Sequence, residues 1–325
     1  MTKAKAPKRA ATSRPTPTPN EPDLPMGSTG QTHPSIGLGL WALGRWTSND
    51  EKLTRATIER SVERRVRWYD TAEVYGAGRS ERVLGDVLGT PRPGAAGPFV
   101  ATKLSWEHLR KAQVRPALIG SLQRLGRTNV DLYLVHAPDP HVPIAETMGA
   151  LEELWAEGRT KALGVSNFSV EELEAARAAL GRAEIVVNQV RFNLLDRADG
   201  EPLQEYCRQH RIVLEAYSPL ARGLLAGRYL DGGPVPTEVR RFADQPLDAD
   251  RFNEILRQAR ALRDLARRAK VPMASIALHW LRREGAAPVF GASRPEQLDQ
   301  VLDAWATRPT DEVLDAAQEI VRGPA

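Results

Sequence analysis

From about Ser35 onward, short apolar runs alternate with stretches that repeat hydrophobic residues every three or four positions. Val114, Leu118, Leu122 and Leu125 form one such stripe, Ile144, Met148, Leu151 and Trp155 a second, and Val170, Leu173, Ala176 and Leu180 a third. Each predicts a helix with one buried face. The runs between them, such as 130–135 and 212–214, are largely apolar and β-branched, as parallel strands covered on both sides must be. Candidate strands end near Trp41, Asp70, Lys103, His136, Ser166, Gln189, Tyr217 and Gly291. Eight strand–helix units in 325 residues predict an α/β chain closed into a (β/α)8 TIM barrel rather than an open doubly wound sheet. The open alternative would carry a G-x-G-x-x-G turn after its first strand. Here Gly37-Leu38-Gly39 runs into Leu40, Trp41 and Ala42, with no third glycine in place. After the seventh strand the regular spacing fails, and the stretch from Arg222 to Phe252, with Pro234 and Pro236, reads as a long rim loop able to close over a ligand.

Composition narrows the setting. With 42% hydrophobic and 26% charged residues and no apolar run near the roughly 20 residues of a membrane span, a soluble, cytoplasmic protein without a membrane partner is expected. The formal charge of +4 suggests nucleic acid until it is located. Lys3, Lys5, Lys8, Arg9 and Arg14 all precede the first acid, Glu21, so the remainder sums to about −1 and a nucleic-acid partner is not expected. Residues 1–32, rich in Pro, Thr and Ala, read as a disordered basic extension, and 33–325 as the barrel. The lone Cys207 excludes a disulfide framework and a cysteine zinc site, so no metal chemistry is expected. The sequence leaves the oligomeric state open.

Asp70, Lys103 and His136 follow one another at equal steps of 33 residues, each ending an apolar strand. One strand–helix unit per step sets them on three neighbouring strands at the C-terminal mouth, where barrels carry their chemistry. Tyr75, five residues beyond Asp70, leaves the same strand and can reach the same point. Any one of these could be a cap, a rim residue or a buried structural polar group. Their common spacing argues for a cluster. A carboxylate keeps a desolvated lysine charged, and the ammonium in turn lowers the pKa of a tyrosine toward useful acidity. An imidazole can donate to a carbonyl oxygen as negative charge develops on it. The same residues would also serve a Schiff-base aldolase with Lys103 as nucleophile.

The second half of the chain weighs between them. Ser166-Asn167, Asn188-Gln189 and Tyr217-Ser218-Pro219-Leu220 end successive strands, offering amides and a hydroxyl for a carboxamide and an aromatic ring for a flat heterocycle, as a nicotinamide requires. Gly291-Ala292-Ser293-Arg294 opens a helix after the eighth strand, a common phosphate site in barrels. An aldolase has no use for either.

Taken together, the segments Gly37-Leu38-Gly39 with Trp41, Asp70-Thr71-Ala72-Glu73-Val74-Tyr75-Gly76, Arg79-Ser80-Glu81, Thr102-Lys103, His136-Ala137-Pro138-Asp139, Gly164-Val165-Ser166-Asn167-Phe168, Asn188-Gln189 and Tyr217-Ser218-Pro219-Leu220 resemble the aldo-keto reductase superfamily. They are most similar to the branch holding potassium-channel β-subunits and broad-specificity bacterial reductases. The resemblance implies a catalytic tetrad of Asp70, Tyr75, Lys103 and His136. It implies nicotinamide contacts from Ser166, Asn167, Gln189 and Tyr217, a pyrophosphate loop with Ser218, Leu220, Gly223 and Leu225, and an adenosine end with Gly291, Ser293, Arg294, Gln297 and Gln300. Trp41 is expected at both cofactor and substrate, and Trp106 at the substrate. The implied activity is NADPH-dependent reduction of a small aldehyde or ketone, reversible as alcohol oxidation. Ser293 stands where many relatives carry a base, and Gln300-Val301 where many carry an acid followed by Asn, so NADPH over NADH rests on Arg294. The same branch implies an alternative, a cofactor-binding regulatory subunit with little turnover.

Overall fold

The computed structural model describes residues 22–41, 48–90, 97–232, 235, 241–242, 245–246 and 248–322. Eight parallel strands close into a barrel. Two strands precede them, β1 (Leu24–Met26) and β2 (Gln31–His33). In chain order the barrel strands are β3 (Gly37–Gly39), β4 (Trp68–Asp70), β5 (Phe99–Leu104), β6 (Leu132–Val135), β7 (Leu163–Ser166), β8 (Ile185–Arg191) and β9 (Val213–Tyr217). After β10 (Arg241–Phe242) and β11 (Gln245–Pro246), which pair with each other, β12 (Ala286–Gly291) lies between β9 and β3 and completes the ring. The expected strand ends hold to within a residue or two, and the sheet is closed, as expected. Closure satisfies every strand edge, and parallel strands then bury both faces.

Helices α1 (Ser48–Glu63), α2 (Arg79–Leu88), α3 (Lys111–Leu125), α4 (Ile144–Ala156), α5 (Val170–Ala178) and α6 (Glu201–Gln209) wrap the outside. They are followed by α7 (Ala249–Ala269), α8 (Met273–Arg283), α9 (Pro295–Ala306) and α10 (Asp311–Arg322). The apolar stripes face inward as their periodicity requires, with Val114, Leu118, Leu122, Leu125, Met148, Leu151, Leu173 and Ala176 all buried. Two glycines set close approaches. A Cβ on Gly37 would lie 2.2 Å from the Trp68 ring, and one on Gly85 2.7 Å from the Leu125 carbonyl oxygen where α2 meets α3. Among the described residues no helix is long and apolar enough to cross a membrane.

Two sequence expectations change. The extension does not run to residue 32: β1 and β2 form an antiparallel hairpin, with Met26 buried among Trp68, Ala101, Leu132, Leu134, Val187, Val213, Ala287 and Val289, side chains of the barrel strands and their interior. Residues 22–32 therefore belong to the barrel, while 1–21 lie outside the described residues. With one buried residue in each strand, the hairpin carries too little pattern to register in sequence. The connection between 222 and 252 is also less open than expected, because it holds the β10–β11 pair and α7 starts at Ala249.

Candidate active site

Strands β4 and β5 are neighbours in the ring, and their registered ends bring Asp70 and Lys103 together. Lys103 Nζ lies 2.6 and 2.7 Å from the two oxygens of Asp70, 3.0 Å from the Thr71 carbonyl and 3.4 Å from the Tyr75 hydroxyl. Lys103 is fully buried. An ammonium has three protons to give, and here all have oxygen acceptors. Burial would strip the charge from Lys103, but the carboxylate of Asp70, with smaller help from Tyr75 and Glu215, outweighs it and holds the lysine above its ordinary range. Burial pushes Asp70 upward as well, against the pull of Lys103. The two short contacts mark it as the carboxylate of an ion pair.

Tyr75 departs from expectation. Its pKa lies above the ordinary phenol value, because burial disfavours the phenolate more than Lys103 favours it. The reason is geometric: Lys103 is already clamped by Asp70, and reaches Tyr75 only through the long 3.4 Å contact. Tyr75 is thus a protonated donor through the neutral range. His136 follows β6, its ring edge-on to Tyr75 at 5.5 Å between centroids and to Trp106 at 5.7 Å. Burial, assisted by the positive charge of Lys103, lowers His136 to about 3, so it is a neutral imidazole with one N–H to donate. Its Nδ1 is buried without a hydrogen-bond partner. The four expected residues therefore converge on one point at the C-terminal mouth. Trp106, on a short turn from Trp106 to His108 and half exposed, walls that point, while Trp41 at the end of β3 is exposed.

The cofactor side is assembled in part. Gln189 on β8 reaches across the barrel to β4, its Nε2 donating to Asp70 Oδ2 at 3.0 Å and also to Glu215 on β9. Ser166 donates to the Gln189 carbonyl at 2.7 Å. Asn167, in the left-handed region at φ 61°, donates to the His136 carbonyl at 3.0 Å and accepts from the Tyr217 hydroxyl at 3.1 Å. Its amide therefore orients Tyr217 and the His136 backbone. In the loop after β9, Ser218, Ala221, Arg222 and Gly223 all take positive φ, which curls the backbone tightly. Leu225, expected beside a pyrophosphate, is buried, and its N–H donates to the Leu220 carbonyl. Gly291 is exposed at the end of β12, and a Cβ there would meet nothing within 4 Å. Beyond it the Ser293 hydroxyl and N–H both donate to Gln297 Oε1 at 3.0 Å, and the exposed Arg294 immediately precedes α9. Gln300 is exposed on that helix.

Sequence reasoning passed over three residues. Glu73 accepts from the Ser105 N–H at 2.6 Å and faces His108 Nδ1 at 3.0 Å, tying the Trp106 turn to the loop that carries Tyr75. Glu215 and His33, both fully buried, meet at 2.8 Å inside the barrel. A solitary acid in an apolar strand, two residues before Tyr217, was a readable signal for Glu215. Nothing in the polar run around His33 marked it.

The order of these elements matches known proteins along nearly the whole barrel. The profile of the Aldo/keto reductase family matches residues 35–322. The chain belongs to that family. It is an NAD(P)H-dependent oxidoreductase acting on carbonyl groups. It is 32% identical to the aldo-keto reductase YhdN of Bacillus subtilis, over 88% of this chain and 90% of that one. It is 28% identical to the NADH-specific methylglyoxal reductase of Escherichia coli, over 86% and 92% of the two chains. The solved glycerol dehydrogenase AKR11B4 of Gluconobacter oxydans superposes with a TM-score of 0.80 at 29% identity, covering 93% of this chain and 97% of that chain.

Proposed function

We propose that this cytoplasmic enzyme reduces small aldehydes or ketones with NADPH, and that Tyr75 delivers the proton. The observation that carries the reading is the protonated Tyr75 hydroxyl at 3.4 Å from an ammonium which Asp70 locks in place, beside a neutral His136. A bound nicotinamide supplies hydride to the carbonyl carbon. His136 donates its single N–H to the carbonyl oxygen, and Tyr75 passes its proton to that oxygen as charge develops there. Lys103 then holds the phenolate until it is reprotonated. In reverse the phenolate accepts the proton of an alcohol.

The residues present fit the cofactor. Gln189 gives both its amide protons to carboxylates, which leaves its Oε1 to accept from the cofactor carboxamide, with Ser166 alongside. Tyr217, held by Asn167, offers a ring for stacking. The curled 218–223 backbone suits the pyrophosphate, and Gly291, Ser293 and Arg294 suit the adenosine phosphate. Arg294 favours NADPH because a guanidinium pairs with a ribose phosphate but gains little from a hydroxyl. A Schiff-base role for Lys103 is disfavoured, since the amine must lose its proton to attack and Asp70 keeps it charged.

The test is a panel of aldehydes and ketones under NADPH and NADH, followed by cofactor absorbance. Turnover with NADPH preferred is the expected result. Tight cofactor binding without turnover of any substrate would replace the reading with a regulatory subunit, and borohydride trapping of an adduct on Lys103 would replace it with an aldolase.

A further inference from the structure

A continuous chain of buried polar side chains runs through the barrel, from the floor hairpin to the catalytic mouth. His33, on β2, faces Glu215 Oε1 with its Nε2 at 2.8 Å. Glu215 accepts from Gln189 through its other oxygen. Gln189 donates on to Asp70 at 3.0 Å, and Asp70 holds Lys103. His33, Glu215 and Lys103 are all completely buried, and Gln189 nearly so. Catalysis as described above calls on Asp70 and Lys103, uses Glu215 only as an acceptor for Gln189, and gives no task to His33.

The contacts fix the proton on one ring nitrogen directly. The Nδ1 of His33 faces the Pro34 carbonyl at 2.8 Å, an acceptor only, so Nδ1 carries hydrogen. Its Nε2 faces a carboxyl group whose second oxygen receives the Gln189 amide. An ionised Glu215 satisfies both neighbours as acceptor, which requires hydrogen on both ring nitrogens of His33. The Trp68 and Phe99 rings stand edge-on around the imidazole, at 4.2 and 5.0 Å between centroids. With Glu215 ionised beside the Asp70–Lys103 pair, a protonated His33 offsets a buried negative charge that an apolar interior does not tolerate.

We propose that His33 and Glu215 form a buried charge pair that positions Gln189, and through it Asp70 and Lys103, so that the N-terminal hairpin is part of the catalytic apparatus. Gln189 needs an oxygen acceptor at both positions. With Asp70 alone its amide can turn over and present nitrogen where the carboxamide-accepting oxygen belongs. His33 is what makes Glu215 tolerable at that depth. Its turnover consequences rest on the reductase reading, whereas the proton placement does not.

Three substitutions separate charge from shape. In His33→Gln the new amide can still donate to Glu215, but the carboxylate loses its counter-charge. In Glu215→Gln the amide oxygen still accepts from Gln189, and its nitrogen donates to a neutral His33. The double variant is neutral with the same bonds. We expect His33→Gln to lower kcat about tenfold or more, the scale on which orienting partners act, with weaker cofactor binding. We expect Glu215→Gln to lower kcat less than His33→Gln does, because its amide oxygen still accepts from Gln189 and no uncompensated charge is left. We expect the double variant to recover most of the loss of His33→Gln, because charges in one network are non-additive. A double variant no better than His33→Gln would overturn the charge pair. Independently, in the cofactor-free protein labelled with ¹⁵N-histidine, both ring nitrogens of His33 should carry protons at neutral pH, with signals that vanish in His33→Gln. A single protonated nitrogen overturns the proposal even if the enzyme reduces carbonyls. Two protonated nitrogens in a protein that reduces none would leave the pair standing and remove the reductase reading.

Discussion

Two places at the C-terminal ends of the strands are built on opposite physical terms. At the tetrad, Lys103 is wholly buried and has four oxygens within 3.4 Å. At the start of α9, the end proposed for adenosine, the Arg294 side chain is 58% exposed and faces Glu296 at 3.9 Å. A proton donor has to be held at one place in one protonation state, which needs desolvated, multiply bonded neighbours. Discrimination between two cofactors needs only a charge near a phosphate, and solvent weakens such a charge without abolishing it. Substitutions at the first end should therefore be severe and specific to chemistry, and those at the second mild and specific to cofactor.

The largest effect tests the first half of that contrast. Tyr75→Phe removes one hydroxyl from a site whose other contacts survive, since Lys103 keeps Asp70 and the Thr71 carbonyl. Carbonyl reduction should fall by roughly 10² to 10⁴, the usual contribution of a general acid, while the cofactor dissociation constant stays put. Steady-state rates and cofactor fluorescence titration measure the two separately. Near-parental turnover would remove Tyr75 from the proton path.

The barrel floor offers a second comparison, because Met26 and His33 are as buried as Asp70 and Lys103 but come from strands with a single buried residue each. Met26→Ala should cost about 2–5 kcal/mol, the range for truncating a buried methionine, as Met26 packs on Trp68 and its neighbours inside the sheet. Thermal or chemical unfolding of the purified variant measures it. A loss below about 1 kcal/mol would mean that the hairpin merely lies against the barrel.

These regions also differ in how well sequence revealed them. The tetrad was legible because one repeat, strand plus helix, recurs at 33 residues, so equal spacing became equal height on neighbouring strands. Most of the eight strands were legible because a short apolar run ends at a polar group, as at Asp70, Lys103, Ser166 and Gln189, and is followed by a helical stripe. The hairpin was not. Leu24 to Met26 has one residue facing in and little periodicity to detect, and the basic, proline-rich stretch before it biased the reading toward disorder. Nor could sequence give the sign of the Tyr75 shift. Proximity of Lys103 was inferred correctly, but whether attraction or desolvation dominates depends on the 3.4 Å contact and on Asp70 claiming the ammonium first. The His33–Glu215 contact joins residues 182 apart on different elements, which no local pattern encodes.

A third, smaller effect lies in pH. His136 is held neutral down to about 3 in the folded chain, whereas an unfolded histidine titrates near 6.5. Because the folded value is depressed, the unfolded state binds the proton first. The stabilising contribution is full above about pH 6.5 and is lost as pH falls toward 3. Its size should be roughly 1–3 kcal/mol once partial solvent access to the ring is allowed for. Comparing the acid-side slope of unfolding free energy with that of His136→Gln isolates this part from the carboxylates, and the variant should have the shallower slope between pH 6.5 and 4. Parallel slopes would place His136 in water. The kcat of reduction should likewise stay level through the neutral range, since neither His136 nor Tyr75 changes protonation there, and fall only as alkali reaches the raised Tyr75 phenol.

The smallest effect tests the exposed end. Arg294 stands in extended conformation just before α9, and its side chain makes no capping bond to that helix. A cation at a helix N-terminus opposes the helix dipole, so its placement there is favourable when an anion binds between them. A ribose phosphate supplies such an anion, whereas the hydroxyl of NADH does not. A fully desolvated charged hydrogen bond would contribute about 1.5–3 kcal/mol, but Arg294 is mostly in water, where an ion pair is worth about 1 kcal/mol or less. Arg294→Ala should therefore weaken NADPH binding by roughly fivefold, that being about 1 kcal/mol, with NADH binding unchanged. The difference should shrink as salt is raised, because the group is exposed. The 28% identical relative that is NADH-specific makes the opposite preference a real outcome for this family. If the parent protein bound NADH more tightly, Arg294 would not be reading a phosphate. Equal weakening of both cofactors would instead assign it to holding the 291–297 turn, where Ser293 and Gln297 are already joined by two hydrogen bonds.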